Sequence, residues 1–224
     1  MSSLNNLNES IKMKYKLLIF DLDGTLVDTR EDLAAAVNEM RRFYELSSLP
    51  LSQVISYVGD GAVKLVERSL EGHDIDIAKA AELMLAAYKR KICVFSRVYD
   101  DCRDFLKFMQ VQDVKMAVLT NKPQAMTDII LKELELDHYF APILGPEGAG
   151  CHKPAPEGIY KCLELNHISA SDALMIGDHH TDLRVAQNAG VDNAFFTAGM
   201  GNDGGLKPTI IFDDYLSLKS LLST

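Results

Sequence analysis

Two aspartates, Asp21 and Asp23, stand two residues apart in the stretch DLDGTLVD (21–28), directly after the apolar run Leu17-Leu18-Ile19-Phe20. Side chains alternate faces along a strand, so both carboxylates point the same way and repel unless a positive group compensates them. Two more aspartates, Asp178 and Asp182, follow the apolar run DALMIG (172–177). Thr120 and Asn121 close another run, VKMAVLT (114–120), and Lys153 lies in the loop GCHKPAPEG just ahead of a helical stretch. Four carboxylates sharing one cleft raise each other's pKa and cannot all stay ionised unaided. A hard divalent cation resolves the conflict, and an all-oxygen ligand set with no cysteine or spaced histidine points to Mg²⁺. Magnesium divides itself between one or two carboxylates and a substrate phosphate. The expected partner is therefore a small phosphorylated metabolite.

Singly, these pieces have plainer readings: an Asp-Gly pair after an apolar run is also a hairpin turn, and Thr120-Asn121-Lys122-Pro123 is also an ordinary loop. Their positions at successive strand ends give the combination its weight. Six short apolar runs, at 15–20, 114–120, 141–145, 172–177, 193–197 and 208–212, read as strands buried on both faces. Helical patterns at 101–109, 124–136, 156–165 and 181–190 separate most of them, with Pro156 in a first turn and Gly190 as a C-cap. Such alternation predicts an α/β fold with a doubly wound parallel sheet, whose ligands bind beyond the carboxyl ends of the strands.

Residues 29–99 break the rhythm. Thr29 and Asp32 form a capping-box pattern, Leu33, Ala36, Val37 and Met40 share one helical face, and further helical stretches lie near 51–57, 61–71 and 76–91. The expected organisation is an α/β core of residues 14–28 and 100–224, with a small helical cap at 29–99 inserted after the first strand. Residues 1–13 read as a polar leader.

The 224 residues are 47% apolar and 25% charged, a globular composition with room for a sizeable core. A net charge of −9 argues against nucleic acid or an anionic membrane as the main partner. Four cysteines without a CxxC pair read as reduced, mostly buried thiols. The sequence shows neither the apolar core of a signal peptide nor a membrane-length apolar run, so a cytoplasmic monomer or homodimer is expected.

The motifs Asp21-Leu22-Asp23-Gly24-Thr25, Thr120-Asn121, Lys153-Pro154 and Gly177-Asp178-xxx-Asp182 resemble, in order and spacing, those of the haloacid dehalogenase superfamily, from about residue 15 to 212. Within it, DGTLVDTREDLAAAVN, YVGDGAVKLVERSL and AVLTNKPQ are similar to bacterial phosphoglycolate phosphatases. The resemblance implies a Rossmann-like core and hydrolysis of a phosphate monoester, 2-phosphoglycolate being the favoured substrate. It makes Asp21 the nucleophile, Asp23 the general acid and base, and Lys153 and Thr120 partners of the transferring group. Asn121, Gly24, Thr25 and Gly61 fall to phosphate or substrate binding. Asp21, Asp178 and the main-chain carbonyl of Asp23 would hold Mg²⁺, while Asp182 either reaches the metal through water or orients Lys153. Lys64 and Arg68, one helical turn apart, read as a solvated face with a carboxylate contact as the alternative. The pair His179-His180 departs from the family pattern and reads as solvent-facing. A sugar-phosphate mutase, a nucleotide or pyrophosphate phosphatase, and a non-catalytic phosphate-binding protein remain alternatives.

Overall fold

A computed structural model describes residues 13–223; apart from Met13, the polar leader lies outside them. The chain opens with β1 (Leu17–Phe20) and β2 (Val27–Asp28), then four helices, α1 (Arg30–Phe43), α2 (Leu51–Ile55), α3 (Ala62–Ser69) and α4 (Ile77–Arg90). It continues through β3 (Arg97–Val98), α5 (Cys102–Val111), β4 (Lys115–Leu119), α6 (Gln124–Glu133), β5 (Ile143–Leu144), α7 (Pro146–Ala149) and α8 (Glu157–Asn166). The last elements are β6 (Ala173–Gly177), α9 (His180–Ala189), β7 (Asp192–Phe196), β8 (Ile210–Phe212) and α10 (Tyr215–Leu222).

The six apolar runs become six parallel strands in the order β5-β4-β1-β6-β7-β8. Strand β1, apolar at all four positions, shows why the strand centres are apolar. Leu17 and Ile19 pack on one side with Ala117, Met175 and helices α8 and α9. Leu18 and Phe20 pack on the other with Met116, Val118 and helices α5, α6 and α10. Both faces are covered, so no polar residue is tolerated at either parity. Strand order runs outward in both directions from β1, which makes its carboxyl end a topological switch point.

The four helices α1 to α4 lie between β2 and β3. The chain leaves and re-enters the core through a ribbon the sequence reading did not anticipate: β2 pairs antiparallel with β3, Val27 opposite Val98 and Asp28 opposite Arg97. Two residues per strand are too few to show a period. The helix α10 was also unanticipated; Asp214 caps it by accepting from Ser217 N at 2.6 Å.

The capping box expected at α1 does not form. Thr29 precedes the helix without capping it, and its hydroxyl instead donates to Asp23 Oδ1 at 2.7 Å. Asp32 accepts from the main-chain N–H of Phe95 and of Ser96 (2.8 Å) and from Ser96 Oγ (2.6 Å). Both side chains find tertiary partners that outcompete the local ones, and Asp32 thereby pins α1 to the segment leading into β3. Pro156 stands one residue before α8 rather than in its first turn. All four cysteines are free; Cys102 and Cys162 are buried, whereas Cys93 and Cys151 are half-buried. No described helix is long and apolar enough to cross a membrane.

Replacing Asp32 with Ala leaves the buried Ser96 N–H and hydroxyl, and the partly buried Phe95 N–H, without their carboxylate partner. The substitution should cost about 3 kcal/mol of folding stability, read as a lowered urea midpoint.

Candidate active site

The ladder of β1 continues one residue past its end, where Asp21 N donates to Ile176 O at 2.9 Å. The chain then turns. Leu22 is fully buried in the apolar core, so Asp21 and Asp23 on either side of it both face the crevice. Each aspartate has its own buried lysine. Lys153 Nζ lies 2.8 Å from Asp21 Oδ1 and 2.6 Å from Asp182 Oδ1. Lys122 Nζ donates to both oxygens of Asp23, at 2.9 and 3.0 Å, and to Tyr88 Oη from α4 at 2.9 Å. Although burial alone disfavours an ammonium, the carboxylates of Asp182 and Asp21 hold Lys153 above the usual lysine range, and Asp23 with Tyr88 does the same for Lys122.

Asp178 sits in a cradle of donors. Thr25 Oγ1 reaches its Oδ1 at 2.9 Å, and the main-chain N–H groups of Met200 and Gly201 reach its Oδ2 at 2.7 and 2.8 Å. Gly24 has φ +84°, and a Cβ there would lie 2.3 Å from Asp178 Oδ2, so neither the backbone conformation nor the space admits a side chain. Gly24 and Thr25 thus shape the seat of Asp178.

Asp21, Asp178 and Asp182 bring one carboxylate oxygen each to within 4.8 Å of one another, all buried. The buried Asp21 Oδ1 has the Lys153 ammonium 2.8 Å away and no other partner among the described residues. Burial pushes Asp21 up to about 6, Lys153 pulling it down and Asp182 adding to the rise. Burial and then the charges of Asp182 and Asp21 push Asp178 up to about 7, against the pull of the Gly201 and Met200 N–H groups. That Asp21 oxygen and two carboxyls reluctant to ionise fit a divalent cation with oxygen ligands. The third member has other duties: Asp182 accepts from Lys153 with Oδ1 and from His179 N with Oδ2 at 3.0 Å.

Thr120 and Asn121 line the same cavity from the end of β4. The Asn121 carboxamide accepts from Lys153 N at 2.7 Å and donates to Gly59 O at 3.0 Å, so one side chain joins the lysine loop to the helical insertion. Gly61, at the start of α3, also lines the cavity. His179 is not solvent-facing: it is buried, precedes α9 and packs under the insertion. A Cβ on Gly59, at φ +119°, would lie 2.6 Å from its ring. Burial, then His180, lowers His179 to about 4, which keeps it neutral. Arg68 does not form a solvated face either; it bonds Tyr57 O at 2.9 Å and Asp60 at 2.5 Å, bracing the loop over the site. Lys64 is exposed and paired with Glu67.

Sequence reasoning missed two contributors. Lys122 is adjacent to the Thr120-Asn121 pair and passed for loop filler, although a lysine at the carboxyl end of a buried strand was itself a signal. The loop after β7 supplies the donors to Asp178, marked only by its glycines, Gly199 and Gly201.

A seat for a divalent cation, a buried aspartate and two buried ammonium groups at the switch point of a parallel sheet define a site for phosphate-ester chemistry. A family model described as haloacid dehalogenase-like hydrolase matches residues 18–196, and the chain belongs to that family. It is 34% identical over 213 residues to a phosphoglycolate phosphatase of Pseudomonas savastanoi pv. phaseolicola, covering 91% of this chain and 78% of that protein. A phosphoglycolate phosphatase of Colwellia psychrerythraea is 32% identical over 192 residues, 82% of this chain and 85% of its own. The crystal structure of a predicted phosphoglycolate phosphatase from Haemophilus somnus 129PT aligns with a TM-score of 0.88 at 27% identity, covering 93% of this chain and 98% of that one.

Asp21 and Asp178 both have folded-state pKa values above the usual carboxylate range near 4. Without metal, the folded protein therefore holds these protons more tightly than the unfolded chain. The stability they contribute is complete below about pH 4 and is lost as pH rises to about 7. The metal-free protein should melt at a lower temperature at pH 7.5 than at pH 5, and saturating MgCl₂ should raise the melting temperature more at pH 7.5. Equal Mg²⁺ shifts at both pH values would contradict the cation seat.

Proposed function

We propose that the protein is a cytoplasmic, Mg²⁺-dependent phosphatase that hydrolyses 2-phosphoglycolate to glycolate and phosphate. The observation that carries this reading is Asp21: a buried carboxylate faced by an ammonium and two further carboxylates. A carboxylate needs no activating base to attack phosphorus, and an aspartyl-phosphate on Asp21 splits one difficult displacement into two easier ones. Mg²⁺ held by Asp21, Asp178 and the Asp23 main-chain carbonyl supplies charge neutralisation for the transferring phosphoryl group. Lys153 adds a second positive charge, held in place by Asp182, whose role is to orient it. Thr120 and Asn121 meet the phosphoryl oxygens from the end of β4. Asp23 gives a proton to the leaving alkoxide and then takes one from the attacking water.

Residues 29–99 act as the cap that reads the organic part of the ester. Their helices contribute Leu33, Leu65, Met84 and Tyr88 to the cavity wall. The reading of a small ester rather than a nucleotide or a hexose bisphosphate, and of a hydrolase rather than a sugar-phosphate mutase, is supported by the relatives named phosphoglycolate phosphatase.

Asp21→Asn should lower phosphate release from 2-phosphoglycolate by at least about 10³-fold with the fold intact. Activity lost on chelation should return with MgCl₂. Isomerised hexose phosphate formed without free phosphate would assign the mutase reaction instead.

A further inference from the structure

Lys122 is not needed to account for phosphoryl transfer, yet it is one of the most heavily committed side chains in the molecule. Its ammonium is buried, spends two hydrogen bonds on Asp23 and one on Tyr88 Oη, and lies 4.4 Å from the Tyr88 ring centroid. Among the described residues lining the cavity it supplies the one lysine or arginine; Lys153 is paired with Asp21 and Asp182, and the cap cations Lys64 and Arg68 are spent on Glu67 and Asp60. The rest of the cap wall is apolar, with Leu33, Ile55, Leu65 and Met84. A substrate carboxylate entering this space loses its water and must find a cation. Only Lys122 offers one.

We propose that Lys122, steadied by Tyr88, reads the carboxylate of the substrate, which takes over ammonium hydrogen bonds now made to Asp23. The inference rests on the phosphoglycolate reading and deepens it. In a 2-phospho acid a single carbon separates the carboxylate from the ester oxygen. Asp23 must reach that oxygen to protonate it, and Lys122 stands within hydrogen-bond distance of Asp23. One ester therefore spans both residues when its acid lies next to the ester carbon, and a substrate with its carboxylate further along the chain does not. The exchange also has a consequence for the reaction. While Lys122 holds both oxygens of Asp23, that carboxylate is not free to turn toward the leaving group; a bound substrate acid releases it.

The test compares kcat/KM for 2-phosphoglycolate and for its neutral isostere carbamoylmethyl phosphate in the full chain with MgCl₂. The ratio of the two is internal to each protein, so differences in folded fraction cancel. Wild type should prefer the acid. Lys122→Met should reduce that preference by on the order of 30-fold, mainly through KM for the acid. Lys122→Arg should retain most of the preference, and Tyr88→Phe should lose several-fold of it. If Lys122→Met does not fold, Tyr88→Phe decides alone, and an unaltered ratio in it overturns the proposal. A wild type that prefers the acid while Lys122→Met keeps the same ratio overturns the inference and leaves the function standing; both rates would then fall together, through Asp23. A wild type indifferent to the carboxylate overturns the phosphoglycolate reading and this inference with it.

Discussion

The constraint on which the site depends is the burial of like charge. Asp21, Asp178 and Asp182, all buried, and Asp23, half-buried, converge at the carboxyl ends of β1 and β6, where little water screens them. The fold meets this by pairing rather than by spreading the charges. Lys153 stands between Asp21 and Asp182, and Lys122 answers Asp23. Asp178 receives no lysine at all and is held by a hydroxyl and two main-chain N–H groups. An isolated buried charge costs several kcal/mol, and removing one partner of a buried pair exposes that cost in full. The four carboxylates are tolerable as a set because two share Lys153, one has Lys122 and one has a cradle of neutral donors.

Those answers come from separate parts of the chain, and they explain much of the architecture around them. The Lys153 loop is fixed by Asn121, the Asp178 seat by the turn at Gly24 and the loop after β7, and the Lys122 ammonium by a tyrosine in α4. Tyr88 and Thr29 both reach the Asp23 environment from the helical insertion or its threshold. The insertion is thus tied to Asp23 and its lysine as well as laid over the cavity. Gly59 above His179, and Asn121 bonded to Gly59 O, complete that seam.

The sheet was legible from sequence because strands covered on both faces must be apolar at every position, a signal strong even in four residues such as Leu17–Phe20. The motif aspartates were legible because strand ends are where parallel sheets expose chemistry. What escaped was set by tertiary competition. Thr29 and Asp32 have the spacing of a local cap, but a buried carboxylate and two main-chain donors were better partners. Gly24 and Thr25 follow Asp21 and Asp23 closely in sequence and pack against a different aspartate, Asp178, in space. His179, polar and next to a loop, is buried because a glycine of the insertion leaves room for the chain to lie against its ring. Lys122 was visible as a residue but not as a partner, since nothing local says which of two lysines will face which aspartate.

The β2–β3 ribbon gives the molecule a second property. Because the chain departs and returns on adjacent strands two residues long, the helices α1 to α4 form, in topological terms, a single large loop on the sheet. Lengthening, shortening or exchanging them need not disturb the register of any parallel strand, provided the ribbon closes. The sheet that carries the site and the helices laid over it are therefore separable in topology, and one can change in length while the other keeps its register.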